Sequence, residues 1–140
     1  MNVRTANEND AEAISLLMDQ LGYQASAKLI TDKIKQFRNS TNDAVYVTEN
    51  DKVVGAVSCH IISLFHQKGA CGRSTGLVVD ESQRNLGIGK ALVEAAEKYF
   101  KLHECIRFEV TSGNHRTKAH KFYLSCGYKE DERRFIKDNT

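Results

Sequence analysis

The chain has 140 residues, a length that suits one domain built around a single core. A hydrophobic fraction of 41% with 27% charged residues is ordinary for a globular protein, and a net charge of +2 is too small to argue for nucleic acid. The first ten residues are polar and charged and the longest apolar stretch, 56–65, is interrupted by Cys59 and His60, so neither a secretory signal nor a membrane span is expected, and a cytoplasmic protein is.

In chain order, 3–6 is a short first strand. Asn7 to Asp10 offer helix caps, and Ala11, Ile14, Leu17, Met18 and Leu21 follow at helical spacing. Gly22 ends that helix. Ser26 caps a second one, whose apolar stripe is Leu29, Ile30, Ile34 and Phe37. The β-branched and aromatic run 44–48 is a strand, 49–52 a hairpin turn and 53–64 a longer strand. Gly55 within it marks a bulge or a close contact. A turn at 66–69 leads to a third strand, 70–79. Helix 88–100, strand 105–110, helix 117–125 and closing strands from Tyr128 and over 134–137 complete the chain. No repeat, linker or low-complexity segment divides it, so 1–140 is expected to form one α/β domain.

The most informative stretch joins strand 70–79 to helix 88–100. A strand, a glycine-bearing turn and a helix start make a site for phosphate, because the first N–H groups of a helix lack internal partners and sit at the positive end of its dipole. The spacing fits neither common nucleotide fingerprint. Only Gly87 and Gly89 of a Gly-x-Gly-x-x-Gly pattern are present, and Gly89-Lys90-Ala91 fails the last position of a Walker loop. What is present is Arg-x-x-Gly-x-Gly: Arg84, Gly87 and Gly89. This resembles the acetyl-CoA pyrophosphate loop of the GNAT superfamily of N-acetyltransferases.

A second motif lies at 116–128. Relatives in that superfamily commonly show Asn-x-x-Ala-x-x-Phe-Tyr, then Gly and an aromatic. Ala119, Phe122, Tyr123, Gly127 and Tyr128 fit that pattern, while Arg116 stands in the place of the Asn. The run Ala119-His120-Lys121-Phe122-Tyr123 is also similar to aminoalkylphosphonate and aminoglycoside-type acetyltransferases. The resemblance spans nearly the whole chain. It implies a GNAT-like, mixed but mostly antiparallel central sheet flanked by helices, in the order β-α-α-β-β-β-α-β-α-β-β.

Its functional implications are specific. The donor would be acetyl-CoA and the acceptor a primary amine, in direct attack without an acyl-enzyme. The backbone of Leu77, Val78 and Val79 would bond the pantetheine arm, and the Val79 N–H would polarise the thioester carbonyl. Backbone N–H groups of Arg84, Asn85, Leu86, Gly87, Ile88, Gly89 and Lys90 would hold the pyrophosphate. Arg116, or nearby Asn114, would replace the usual side-chain contact to the pantetheine arm. Tyr123 would be the general acid. Many relatives carry a carboxylate base on the strand before the loop. Here that strand reads Gly72-Arg73-Ser74-Thr75-Gly76, so Glu109 on the following strand, or water, takes its place.

Arg73 suits an amine that also bears an anionic group such as a phosphonate, phosphate or carboxylate. Cys59, Cys71, Cys105 and Cys126 form no Cys-x-x-Cys pair and read as small buried hydrophobes. His60, His66, His115 and His120 show no metal-ligand pattern, so no metal site is expected. Two alternatives stand beside the small-molecule enzyme: a protein or peptide acetyltransferase, and a module that binds acetyl-CoA without turnover. An RNA-binding domain lacks the repeated exposed aromatics that base stacking needs. Dimers are common among relatives, and no feature of the sequence decides that question.

Overall fold

The computed structural model describes residues 1–111, 117–131 and 134–139. Strand β1 (Asn2–Thr5) is followed by a short 3-10 turn, Glu8–Asp10, and by α1 (Ala11–Gln20). Asn7 and Asp10 form the cap at this entry: Asn7 Oδ1 accepts from the Asn9 N–H, and Asp10 Oδ2 accepts from the Asn7 N–H. Gly22, at φ 91°, ends α1 in the left-handed conformation that favours glycine. Helix α2 (Ala27–Arg38) starts at Ser26, whose Oγ accepts from the Leu29 N–H at 3.0 Å.

Strands β2 (Asp43–Asn50), β3 (Lys52–Ser63) and β4 (Ala70–Val79) form an antiparallel meander with tight turns. Helix α3 (Ile88–Leu102) then crosses over to β5 (Cys105–Val110), which lies parallel to β4. Helix α4 (Thr117–Ser125) ends before Gly127. The five strands lie in the order β1-β2-β3-β4-β5, a mixed α/β sheet that is antiparallel except at its last pair.

Two apolar clusters cover the two faces. Val57 and Cys59 of β3 meet Ile88, Leu92, Ala96 and Phe100 of α3 on one face. Ala56, Val78 and Val47 meet Ile14 and Leu17 of α1 and Ile34 of α2 on the other. Alternation of side chains along each strand separates the two sets. Gly72 is part of the same fit, because a Cβ there would lie 2.3 Å from Phe100 Cγ. The fully buried Phe100 ring occupies the volume a side chain would need.

Gly55 satisfies both expectations for it. The β2–β3 register slips beside it, so that Val54 and Gly55 both turn toward α3. A Cβ on Gly55 would also sit 3.0 Å from Leu92 and 3.2 Å from the Val78 carbonyl.

The closing strands expected from Tyr128 and over 134–137 are not formed in the described residues 128–131 and 134–139. Tyr128 instead turns onto α3, its hydroxyl donating to Glu97 Oε2 at 2.8 Å. Phe135 and Ile136, in the expected strand 134–137, are exposed.

Candidate active site

The site begins where β4 parts from β5. Their pairing runs from Ala70–Cys105 to Ser74–Val110 and stops there, while β4 continues to Val79. Among the described residues no strand pairs with 75–79 on that side. The cause is local. An extra residue enters β4 where Ala56 opposes Val78 and Ser58 opposes Thr75. Gly76 takes φ 63° there, and this bulge turns both Thr75 and Gly76 toward the α1 and α2 side.

The parted edge presents backbone groups in a definite order. The Asp80 N–H donates to the Val54 carbonyl at 2.8 Å, toward β3. Successive backbone groups alternate in direction along a strand, so the Val79 N–H and C=O point to the opposite, open side. The Val79 carbonyl accepts there from Arg84 Nε at 3.3 Å. The sequence-predicted residues Leu77, Val78 and Val79 thus lie on the one stretch of β4 without a β5 neighbour.

Arg84 to Lys90 form the connection into α3. Asn85 (φ 67°) and Gly87 (φ 80°) are both left-handed, which coils the loop over the helix start. Gly87 is the N-cap, and no side chain caps the helix. The first N–H groups of α3 therefore keep their capacity to bind an anion. Gly89 explains the second glycine. A Cβ on it would meet Phe122 Cζ at 3.1 Å and Val79 Cγ2 at 3.7 Å. Phe122 thereby seats α4 on the start of α3.

Tyr123 follows Phe122 on α4, and its ring meets those of Phe122 and Tyr128 at centroid distances of 5.4 and 6.2 Å. Burial and the bond to Glu97 push the Tyr128 hydroxyl pKa up, so it remains a fixed neutral donor. The predicted contacts of Asn114 and Arg116 lie outside the described residues.

Glu109 and Arg73 are brought together by the register of β4 and β5. Arg73 donates to Glu109 at 3.0 Å, and Arg107 approaches the other carboxylate oxygen at 3.1 Å. Burial pushes the Glu109 carboxyl up, but the hydrogen bonds from Arg73 and Cys71 and the two arginine charges outweigh it and hold the group low. A carboxylate held low is a weak base near neutral pH. Two guanidinium groups against one carboxylate leave the cluster net positive.

A second polar chain on the same face has no counterpart among the predicted residues. Asp43 of β2 lies opposite His60 of β3, and Asp43 Oδ1 is 2.6 Å from His60 Nδ1. His60 Nε2 is 2.7 Å from Ser58 Oγ and 3.3 Å from Thr75 Oγ1. Phe37 of α2 meets the imidazole edge-on. Burial pushes the Asp43 carboxyl up, but hydrogen bonds from His60 and Ser40 outweigh it and keep it below the usual carboxylate range. An ionised Asp43 only accepts, so Nδ1 carries the proton and Nε2 accepts from Ser58. Ser58 and His60 share a face by strand alternation, but only sheet register brings Asp43 and Thr75 to them.

Among the described residues no three His, Cys, Asp or Glu side chains group as a metal site, and no helix is long and apolar enough to cross a membrane.

Comparison with known proteins bears on the fold and the family. An aminoalkylphosphonate N-acetyltransferase from Salmonella typhimurium is 29% identical over 145 residues, covering 96% of this chain and 89% of the relative. An aminoglycoside N-acetyltransferase solved in complex with CoA superposes with a TM-score of 0.86 at 17% identity, over 99% of this chain and 93% of that one. Glucosamine-6-phosphate N-acetyltransferase from Arabidopsis thaliana does so with a TM-score of 0.82 at 21% identity, over 98% and 97%. The model of the acetyltransferase (GNAT) family, whose acetyl donor is acetyl-CoA, matches residues 11–128, and the chain belongs to that family.

Proposed function

We propose that this protein transfers the acetyl group of acetyl-CoA to the primary amine of a small molecule by direct attack. The observation that carries this reading is the parting of β4 from β5 beside a helix start that no side chain caps. When bound, acetyl-CoA supplies an activated acyl thioester.

The chain supplies binding and proton handling. The N–H groups from Arg84 to Lys90 hold the diphosphate, as the uncapped α3 terminus favours. The open edge of Leu77 to Val79 holds the pantetheine arm as an added strand would be held. The Val79 N–H, aimed at that side, polarises the carbonyl as negative charge develops on its oxygen. Tyr123 hands its phenolic proton to the departing thiolate.

The acceptor approaches from the α1 and α2 face, where the positive Arg73–Glu109–Arg107 cluster suits an amine with an anionic end. The similarity to an aminoalkylphosphonate enzyme supports the same substrate class. Glu109 then holds Arg73 in place rather than serving as the base.

Thiol release from acetyl-CoA, measured against aminophosphonates, aminoglycosides, polyamines and peptides, tests the reading. Turnover is expected with small amines, and most efficiently with aminophosphonates. CoA binding without release for any amine would leave a binding module. Arg73→Ala should raise KM for an aminophosphonate about tenfold, close to 1.4 kcal/mol, and leave a neutral amine unaffected.

A further inference from the structure

The reaction as proposed releases a proton. An amine that arrives as an ammonium must lose one N–H proton before it has a lone pair to attack with. Glu109, held low by Arg73 and Arg107, is poorly matched to receive it. The polar chain around His60 has the parts that Glu109 lacks.

We propose that His60 is the terminal base of a proton relay for the acceptor amine, entered through the hydroxyl of Thr75 and oriented by Asp43. The proposal rests on the transferase reading given above. Thr75 is the first β4 residue beyond the last β4–β5 pair, so it lies at the floor of the parted region. Its Oγ1 is 3.3 Å from His60 Nε2, and Ser58 Oγ is 2.7 Å from the same atom. Nε2 has one lone pair, which the nearer Ser58 hydroxyl takes at rest; Thr75 donates to it when the Ser58 hydroxyl proton turns away.

The step balances. The ammonium N–H bond breaks as its proton passes to Thr75 Oγ1. The Thr75 hydroxyl proton moves to His60 Nε2, forming a new N–H bond. The amine keeps the electron pair, and the hydroxyl is regenerated. The imidazolium is stabilised by Asp43 Oδ1 at 2.6 Å. With 24% of its side chain exposed, His60 then returns the proton to water.

The charged and titratable surroundings of His60 are few. Asp43 faces it from β2, and Arg73 is its register partner on β4, held in turn by Glu109 of β5. Helix α2 contributes the Phe37 ring. Tyr99 of α3 interacts with Asp43 from across the sheet. Asp43 is the carboxylate in contact with the ring, and its role is positioning and charge compensation. Ser58 Oγ, 2.7 Å from Nε2, helps hold the ring in place.

The test is the pH dependence of kcat/KM with acetyl-CoA and 2-aminoethylphosphonate, read beside the imidazole ¹⁵N spectrum. Wild type is expected to lose activity as pH falls through protonation of one group. His60→Gln should lower kcat about 100-fold and flatten that acid limb, with the CoA-induced rise in Tm unchanged. Asp43→Asn should lower kcat about tenfold, because the imidazolium loses its counter-charge at Nδ1. The ¹⁵N spectrum of the free wild-type protein should show His60 as the Nδ1–H tautomer. An active wild type whose His60→Gln variant keeps its rate and its acid limb overturns the relay alone. So does an Nε2–H tautomer, whatever the activity. A wild type that acetylates no amine overturns the transferase reading, and the relay with it.

Discussion

Single side chains do two distinct kinds of work here. Tyr123 is argued to act on the leaving thiolate, so Tyr123→Phe should lower kcat about 100-fold while KM for acetyl-CoA stays within about twofold. A parallel loss in CoA affinity, measured by titration, would mean that the hydroxyl binds rather than donates. Asp10 works on the fold instead. It is buried and accepts from both terminal nitrogens of Arg4, at 2.8 and 2.9 Å, and from the Asn7 N–H. The Arg4 hydrogen bonds, working against burial, hold its carboxyl below the ordinary 3.8. A depressed pKa means the folded state binds fewer protons, so the stabilisation is complete above about pH 4 and is lost as pH falls through the folded value. Asp10→Asn should cost about 2–3 kcal/mol at pH 7 and flatten the fall of stability below pH 4, as followed by urea midpoints across pH. The sequence marked Asn7 to Asp10 as a cap but was silent on Arg4. The partner of a buried carboxylate comes from a different element, and no local pattern encodes it. The same is true of Glu109: its place on a strand was readable, whereas its two arginines depend on the register of β4 against β5.

At the scale of elements, Gly55 is legible as a bulge or close contact, whereas the fit of Gly72 and Gly89 against their neighbours is not. Gly55, Gly72 and Gly89 each stand where a Cβ would meet a neighbour from another element. Gly72→Ala would press a methyl into the Phe100 ring, so either β4 or α3 must shift. The expected cost is about 1–3 kcal/mol, seen as a lower urea midpoint with an unchanged m-value. Phe100→Leu in the same chain should recover part of it. Helix α4 was readable from its spacing, yet it contributes no fully buried residue. Its position depends on Phe122 lying over Gly89, a contact that the two motifs do not themselves reveal. The closing strands were misjudged for the opposite reason. Aromatic and β-branched residues predict a strand only when a neighbouring strand or face takes them up, and Phe135 and Ile136 have none among the described residues.

For the molecule as a whole, the reading stands or falls on coenzyme binding. A ligand that binds only the folded state raises stability by RT ln(1 + [L]/Kd). At CoA one hundredfold above its Kd this is about 2.7 kcal/mol, or roughly 8 °C in Tm for a chain of this size. Desulfo-CoA should do as well, since the diphosphate and the arm account for the contacts. A Tm indifferent to either would contradict the site. The order of elements from β1 to α4 was visible from sequence pattern alone. How β4 and β5 meet was not, since it belongs to topology. The crossover through α3 brings the start of β5 beside Ala70, at the far end of β4 from Val79. Had the chain returned by a direct hairpin, the turn would have stitched the two strands together at Val79. That is the end where the proposed site would admit a long, thin cosubstrate. Making the last pair parallel puts the hinge of the fork at its base and leaves its mouth unlaced.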